Sequence, residues 1–209
     1  VGKLLLSTRP KDVPTKQAAA AVGQCELMYT YDRLFSEYNH TVAQLLVTGS
    51  DVEDETRRQH FHNTLYRLLE LGALPVINEN DAVATDEIGV TTTIGENDTL
   101  SAIVAGLVEA ELLILLSDID GLYTADPHKN PDARRIDVVT ELTPEIWALA
   151  QGKGSALASG GMATKLKAAE LATAQGCDMI IANGKRPEAL YGILDGAQVG
   201  TRFPRKEQS

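Results

Sequence analysis

The chain has 209 residues, of which 44% are hydrophobic and only 5% aromatic, and it carries a formal net charge of -10. That length and an aliphatic interior suit one large α/β domain or two small ones and exclude a disordered chain. The acidic balance excludes a surface built for nucleic acid or an anionic membrane, so an anionic ligand needs a local cationic pocket.

The predicted elements follow a βαβ rhythm. An Ala-rich helix runs from 15 to 36 after Pro14-Thr15, with Gly23 marking a close approach or a bend within it. A short strand at 42–47 leads to a helix over 51–71, with Leu65, Leu68 and Leu69 on one face and Gly72 as its stop. A strand at 74–78, a helix at 98–109 and an apolar strand at 111–117 come next, and such a continuous apolar strand fits a parallel sheet covered on both faces. A Gly/Pro/Asn-rich loop at 121–131 precedes a short helix at 144–150 and a Gly-rich loop at 152–161. A helix at 162–175, a strand at 178–183 and a helix at 187–194 complete the series. No internal repeat or low-complexity linker interrupts it, so one α/β domain is expected.

Cys25 and Cys177 lack a CxxC spacing or a histidine partner, so they read as reduced thiols in a cytoplasmic protein. His60 and His62 stand two apart on a helix, which sends their rings to different faces; surface histidines, not zinc ligands, are expected. The sequence shows neither an apolar run that would span a bilayer nor a basic-then-apolar leader, and it opens on Val1-Gly2-Lys3 rather than a methionine.

Three constellations carry chemistry. Val76-Ile77-Asn78-Glu79-Asn80-Asp81 is an apolar run ending in four consecutive carboxamides and carboxylates, and Gly95-Glu96-Asn97-Asp98 repeats that make-up. Such groups are costly at the end of a buried strand unless they face a ligand. Asn97 or Asp98 can serve simply as the N-cap of the helix that follows. Taken together, the two clusters suit a ligand bearing both an ammonium, accepted by Asp81, and a carboxylate, to which Asn78 and Asn97 donate. An amino acid fits that description.

Ser159-Gly160-Gly161-Met162-Ala163-Thr164-Lys165 is a glycine-rich turn entering a helix, with a lysine in its first turns. Backbone N–H groups at a helix start and a nearby ammonium bind phosphate, although the Walker spacing is absent and an ordinary turn with a solvated lysine reads equally well. At the end of an apolar strand, Ser117-Asp118 opens the polar loop through Gly121-Leu122-Tyr123-Thr124-Ala125-Asp126-Pro127, where ligands of open α/β sheets gather. Asp-Gly and Asp-Pro there are also plain turn signals.

In this order and at these spacings, the motifs closely resemble the glutamate-phosphorylating members of the amino acid kinase family. Lys16 to Gln24 and Val199-Gly200-Thr201-Arg202-Phe203 resemble the same family. The resemblance implies an αβα sandwich around a mainly parallel central sheet and transfer of the ATP γ-phosphoryl group to the side-chain carboxylate of L-glutamate, the first step towards proline. It further implies that Asn78, Asp81 and Asn97 hold glutamate, and that Ser117, Asp118 and the segment Ser159, Gly160, Gly161, Met162, Ala163, Thr164 and Lys165 hold ATP. Asp98 would orient the catalytic lysine, and Lys165 would neutralise the transferring phosphoryl group. Magnesium would ride on the ATP phosphates with no protein ligands, proline would act as a feedback inhibitor, and the chain would form a homo-oligomer.

The family also shows an opening Lys-x-Gly-Ser/Thr strand and a later Thr-Ser-Gly-Ala segment, neither of which is in this sequence. Val1-Gly2-Lys3-Leu4 resembles the stretch just after the second. The expectation is therefore an N-terminally incomplete kinase domain over 1–203, a tail at 204–209 and no appended RNA-binding-like domain. Another member of the same family, or a nucleotide- or amino-acid-binding fragment without turnover, is the alternative.

Overall fold

The computed structural model describes residues 8, 10–83, 97–127, 129–150 and 159–206. By its backbone packing the chain divides into two compact units, Val1–Asn97 and Asp98–Ser209.

In the first unit, α1 (Val13–Ser36) begins where Asp12 accepts a 2.9 Å hydrogen bond from the Thr15 amide, with Pro14 among its first residues. An N-cap carboxylate and an early proline both satisfy the free amides of a helix start. Gly23 marks no close approach among the described residues, where a side chain would meet no atom within 4 Å. Strands β1 (Thr41–Val47) and β2 (Ala73–Glu79) pair in parallel, from Thr41 opposite Ala73 to Val47 opposite Glu79.

The single helix expected over 51–71 is two, α2 (Gly49–Glu53) and α3 (Glu55–Glu70). Asp54 breaks it: its backbone is extended, its amide closes α2 on the Ser50 carbonyl at 3.1 Å, and its carboxylate caps α3 through the Arg57 amide at 2.9 Å. A side chain that can bond its own local backbone competes with helix continuation. Thr48 and Asp51 cap the start of α2 reciprocally, the Thr48 amide donating to Asp51 at 2.8 Å and its hydroxyl at 2.6 Å. Burial would raise the Asp51 carboxyl, but these bonds and Arg57 outweigh it and hold it below its ordinary value.

Of the expected apolar face of α3, Leu65 is buried whereas Leu69 is exposed. The reading of both histidines as surface residues fails for His62, which packs on Tyr66 with ring centres 4.4 Å apart and has its Nδ1 buried.

In the second unit, whose first helix α4 (Asn97–Leu107) straddles the division, β3 (Leu112–Ser117) and β4 (Asp178–Asn183) run parallel and β5 (Thr201–Phe203) joins β4 antiparallel. The mainly parallel α/β architecture is as expected, with the described ladders forming one two-stranded and one three-stranded sheet. Helices α5 (Pro144–Ala150), α6 (Ser159–Ala174) and α7 (Ala189–Leu194) complete the unit. Its core joins Leu115, Leu122, Met179, Ile181 and Phe203 to the small residues Ala102, Ala105, Ala168, Ala169 and Ala172, which let helices close on the sheet. Met179 to Ala182 of β4 are all buried, the signature of a strand covered on both faces.

Strand β5 was not foreseen. It is entered through Gly200, where φ is +70° and a side chain would come within 2.0 Å of the Ile181 carbonyl. The next residue, Thr201, is fully buried; its hydroxyl accepts from the Leu122 amide at 2.8 Å and donates to the Ile136 carbonyl at 2.7 Å. This bond pins the loop after β3 to the end of the chain. Asp178, at the start of β4, accepts from the Arg205 amide at 2.9 Å and from Arg202 Nε at 3.1 Å. Burial pushes its carboxyl up, yet these donors prevail and hold it below the ordinary 3.8.

Candidate active site

The second unit brings three of the sequence-predicted residues together. Asp98 lies in the first turn of α4 and Lys165 in the second turn of α6. The Lys165 ammonium is 2.9 Å from Asp98 Oδ2, and the Thr164 hydroxyl, also 3.0 Å from the Gly161 carbonyl, donates to the same oxygen at 2.8 Å. The side chains of Lys165 and Asp98 are 13% and 21% exposed, so the pair is sheltered but still reachable. A carboxylate in the first turn of a helix is favoured by the helix dipole, and an ion pair at this depth holds its lysine far better than a fully exposed one does. One ammonium hydrogen faces Asp98; the other two have no hydrogen-bond partner among the described residues.

The glycine-rich segment differs from expectation. Helix α6 starts at Ser159 rather than Met162, so Gly160 and Gly161 belong to its first turn instead of a preceding loop. A side chain at Gly161 would meet no described atom within 4 Å, so protein packing does not require the glycine there. Its bareness leaves backbone open to a ligand at a helix start, the geometry that favours phosphate. Met162 and Ala163 are half-buried beside it. The side chains of Ser159 and Gly160, the loop over 152–158, Gly95-Glu96 and Val1-Gly2-Lys3-Leu4 lie outside the described residues.

Ser117 and Asp118 stand at the carboxyl end of β3, the serine hydroxyl donating to the aspartate at 3.1 Å, with Asp118 exposed. Beyond them Tyr123 donates to both oxygens of Asp120 at 3.0 Å; burial first, and then the Asp120 carboxylate, raise its phenol above its ordinary value.

In the first unit, Asn78, next to last in β2, has both ends of its carboxamide engaged. Its oxygen accepts from the Glu79 amide at 3.0 Å, and its nitrogen donates to Gln24 Oε1 of α1 at 3.0 Å. Asp81 is exposed in the turn that follows, which the Asn80 amide ties to the Val47 carbonyl at 2.8 Å and the Val83 amide to the Asn80 carbonyl at 3.0 Å. Asn78 and Asp81 thus share one strand end. Asn97 and Asp98 are both helical residues of α4, with Asp98 in its first turn. Sequence reading missed Gln24 as a partner of Asn78; its only signal was its place in Val22-Gly23-Gln24.

Among the described residues, no three His, Cys, Asp or Glu side chains group into a metal site. Cys25 is exposed and Cys177 buried, both as free thiols, and burial first, then Asp178, raises the Cys177 thiol.

The parallel α/β fold is shared with known kinases. Carbamate kinase from Giardia lamblia, solved with AMP-PNP, matches with a TM-score of 0.60 at 19% identity, over 98% of this chain and 77% of that one. Residues 5–183 match the family model described as the amino acid kinase family. Two curated relatives named glutamate 5-kinase narrow the placement. That of Clostridium perfringens is 51% identical over 207 residues, 99% of this chain and 77% of the relative. That of Clostridium tetani is 52% identical over 203 residues, 97% and 74% of the two chains. The chain belongs to the amino acid kinase family and, within it, to the glutamate 5-kinases.

Proposed function

We propose that this protein transfers the γ-phosphoryl group of ATP to the side-chain carboxylate of L-glutamate, giving γ-glutamyl phosphate and ADP, the first step towards proline. The observation that carries the reading is the 51% identity, over 207 residues, with a chain named glutamate 5-kinase. The Asp98–Lys165 pair supports it by supplying a fixed cation where such chemistry needs one.

A carboxylate is already a nucleophile, so the reaction needs no general base. One of its oxygens attacks the γ-phosphorus, the bond from that phosphorus to the β–γ bridging oxygen breaks, and ADP leaves with the electron pair. Positioning and charge stabilisation then carry the rate. Lys165, braced by Asp98, to which Thr164 also donates, faces the charge on the moving phosphoryl group. The amides opening α6 and the residues from Ser159 to Thr164 hold the phosphates, and Ser117 with Asp118 holds the rest of ATP. Asn78, Asp81 and Asn97 grip the ammonium and α-carboxylate of glutamate.

Magnesium enters with ATP as part of the substrate. Asp98 is engaged by Lys165 and Thr164, which suits an ion held chiefly through phosphate oxygens rather than by a protein cage. Residues 1–203 are read as the kinase domain, working in the cytoplasm as a homo-oligomer. No helix of the described residues is long and apolar enough to cross a membrane. Proline shares the amino-acid head of glutamate and is proposed as a competitor, so adding it should raise the apparent glutamate KM without lowering kcat.

The test is incubation with ATP, magnesium, glutamate and hydroxylamine. Glutamate-dependent γ-glutamyl hydroxamate is expected; its absence from the folded protein would overturn the reading.

A further inference from the structure

We infer that Gln24 is a positioning residue for the amino acid substrate, acting by fixing the carboxamide of Asn78; the inference rests on the glutamate-binding role proposed above for Asn78. The hydrogen bonds themselves settle which end of each amide is which. Only an oxygen can accept from the Glu79 backbone N–H, so the Asn78 atom 3.0 Å away is Oδ1 and the other arm of that carboxamide is its NH2 group. That group donates to Gln24, which must therefore turn its own oxygen towards Asn78, at 3.0 Å. The Gln24 amide nitrogen is left pointing away, buried and without a hydrogen-bond partner among the described residues.

A buried amide nitrogen with no acceptor weakens the fold, and an apolar side chain of the same length would be cheaper at this position. Stability alone therefore does not account for a glutamine here. What the glutamine does supply is an acceptor for Asn78. The terminal torsion of an asparagine is broad, so one local bond to Glu79 leaves the amide plane loosely held. A second bond across 54 positions of sequence, from strand end to helix α1, fixes it. The remaining N–H of Asn78 is then aimed in one direction, ready to donate to a substrate carboxylate without first being ordered.

The test compares the wild type with Gln24→Met in steady-state hydroxamate kinetics and thermal unfolding, and repeats the substitution in an Asn78→Ala background. Gln24→Met keeps the length and removes both polar ends. The expected result is a glutamate KM raised by about tenfold, with kcat altered by less than about threefold. The ATP KM should be unchanged and the melting midpoint equal to or above that of wild type. In the Asn78→Ala background the same change should add no further rise, because the two residues act as one unit. Gln24→Ala, which removes bulk as well, should give the same KM rise if the methionine packs poorly.

A glutamate KM within about twofold of wild type in both Gln24 variants would overturn the inference. So would a full additional rise in the Asn78→Ala background, or a loss of activity that simply tracks a lower melting midpoint. A folded wild type that gives no glutamate-dependent hydroxamate would instead overturn the functional reading, and this inference with it.

Discussion

Asn78 in the first unit and Lys165 in the second are both held by a partner distant in sequence, but by different physics. Asn78 is fixed by two neutral hydrogen bonds, to Glu79 and Gln24, at the open end of a two-stranded sheet. Lys165 is fixed by a sheltered carboxylate that also takes the Thr164 hydroxyl, on a helix whose inner face is buried to the last atom at Leu166, Ala168, Ala169 and Ala172. Neutral donors recognise a shape and a hydrogen-bond pattern, and they bind ground state and transition state alike. A fixed cation does most where charge is moving. Under the proposed function, this difference suits recognition in the first group and rate in the second.

Removing Lys165 should break this contrast most severely. Lys165→Met is expected to lower kcat by about a hundredfold to a thousandfold, with the glutamate KM nearly unchanged; a large KM effect with kcat intact would put Lys165 in recognition instead. Asp98→Asn keeps an acceptor for Thr164 but deletes the charge that steadies the lysine, so kcat should fall by about tenfold to a hundredfold in the same assay. Asn78→Ala should act on the other side of the division, raising the glutamate KM by about tenfold while kcat and the ATP KM stay close to wild type.

The smallest effect concerns stability. Asp178→Asn weakens the bonds to Arg202 and Arg205 and should cost about 1 kcal/mol at neutral pH in urea unfolding, the exposed arginines limiting the loss. Because the folded-state carboxyl of Asp178 lies below its ordinary 3.8, its contribution is present above that value and is lost as pH falls through the lower folded one. The gap between wild type and variant should therefore close as the solution is acidified below 3.8. A gap that persists there would place the stabilisation elsewhere.

The parts of this architecture that were legible in advance are those written in local pattern. The four longer strands and the Ala-rich helix around Pro14 follow from apolar runs, periodicity and caps. Asp98, Thr164 and Lys165 could be singled out because a glycine-rich helix start with a lysine suits phosphate and the polar cluster Gly95 to Asp98 repeats the one after β2. Features that depend on distant partners were not legible. Strand β5 has three residues, too few for a period, and exists because Thr201 and Gly200 fit against Leu122, Ile136 and Ile181. The break at Asp54 turns on one extended residue inside an otherwise helical pattern. In α4, Leu100 and Ile103 of the apolar stripe Leu100, Ile103, Val104, Leu107 and Val108 are buried, together with Ala102 and Ala105, whose small side chains allow close packing. Gln24 lies in the family-like segment Lys16 to Gln24, but its bond to Asn78 spans 54 positions and has no local signature.

The most direct test of phosphoryl transfer to the glutamate side chain follows the oxygen. With glutamate labelled with heavy oxygen in its γ-carboxylate, and with hydroxylamine trapping the product, attack on phosphorus leaves one labelled oxygen bridging carbon and phosphorus. Hydroxylamine then attacks the acyl carbon and expels phosphate that keeps that oxygen. Mass spectrometry should find one heavy oxygen in each phosphate released in step with hydroxamate. Phosphate without the label would mean that the γ-phosphoryl group goes to water or another acceptor, and would contradict this account.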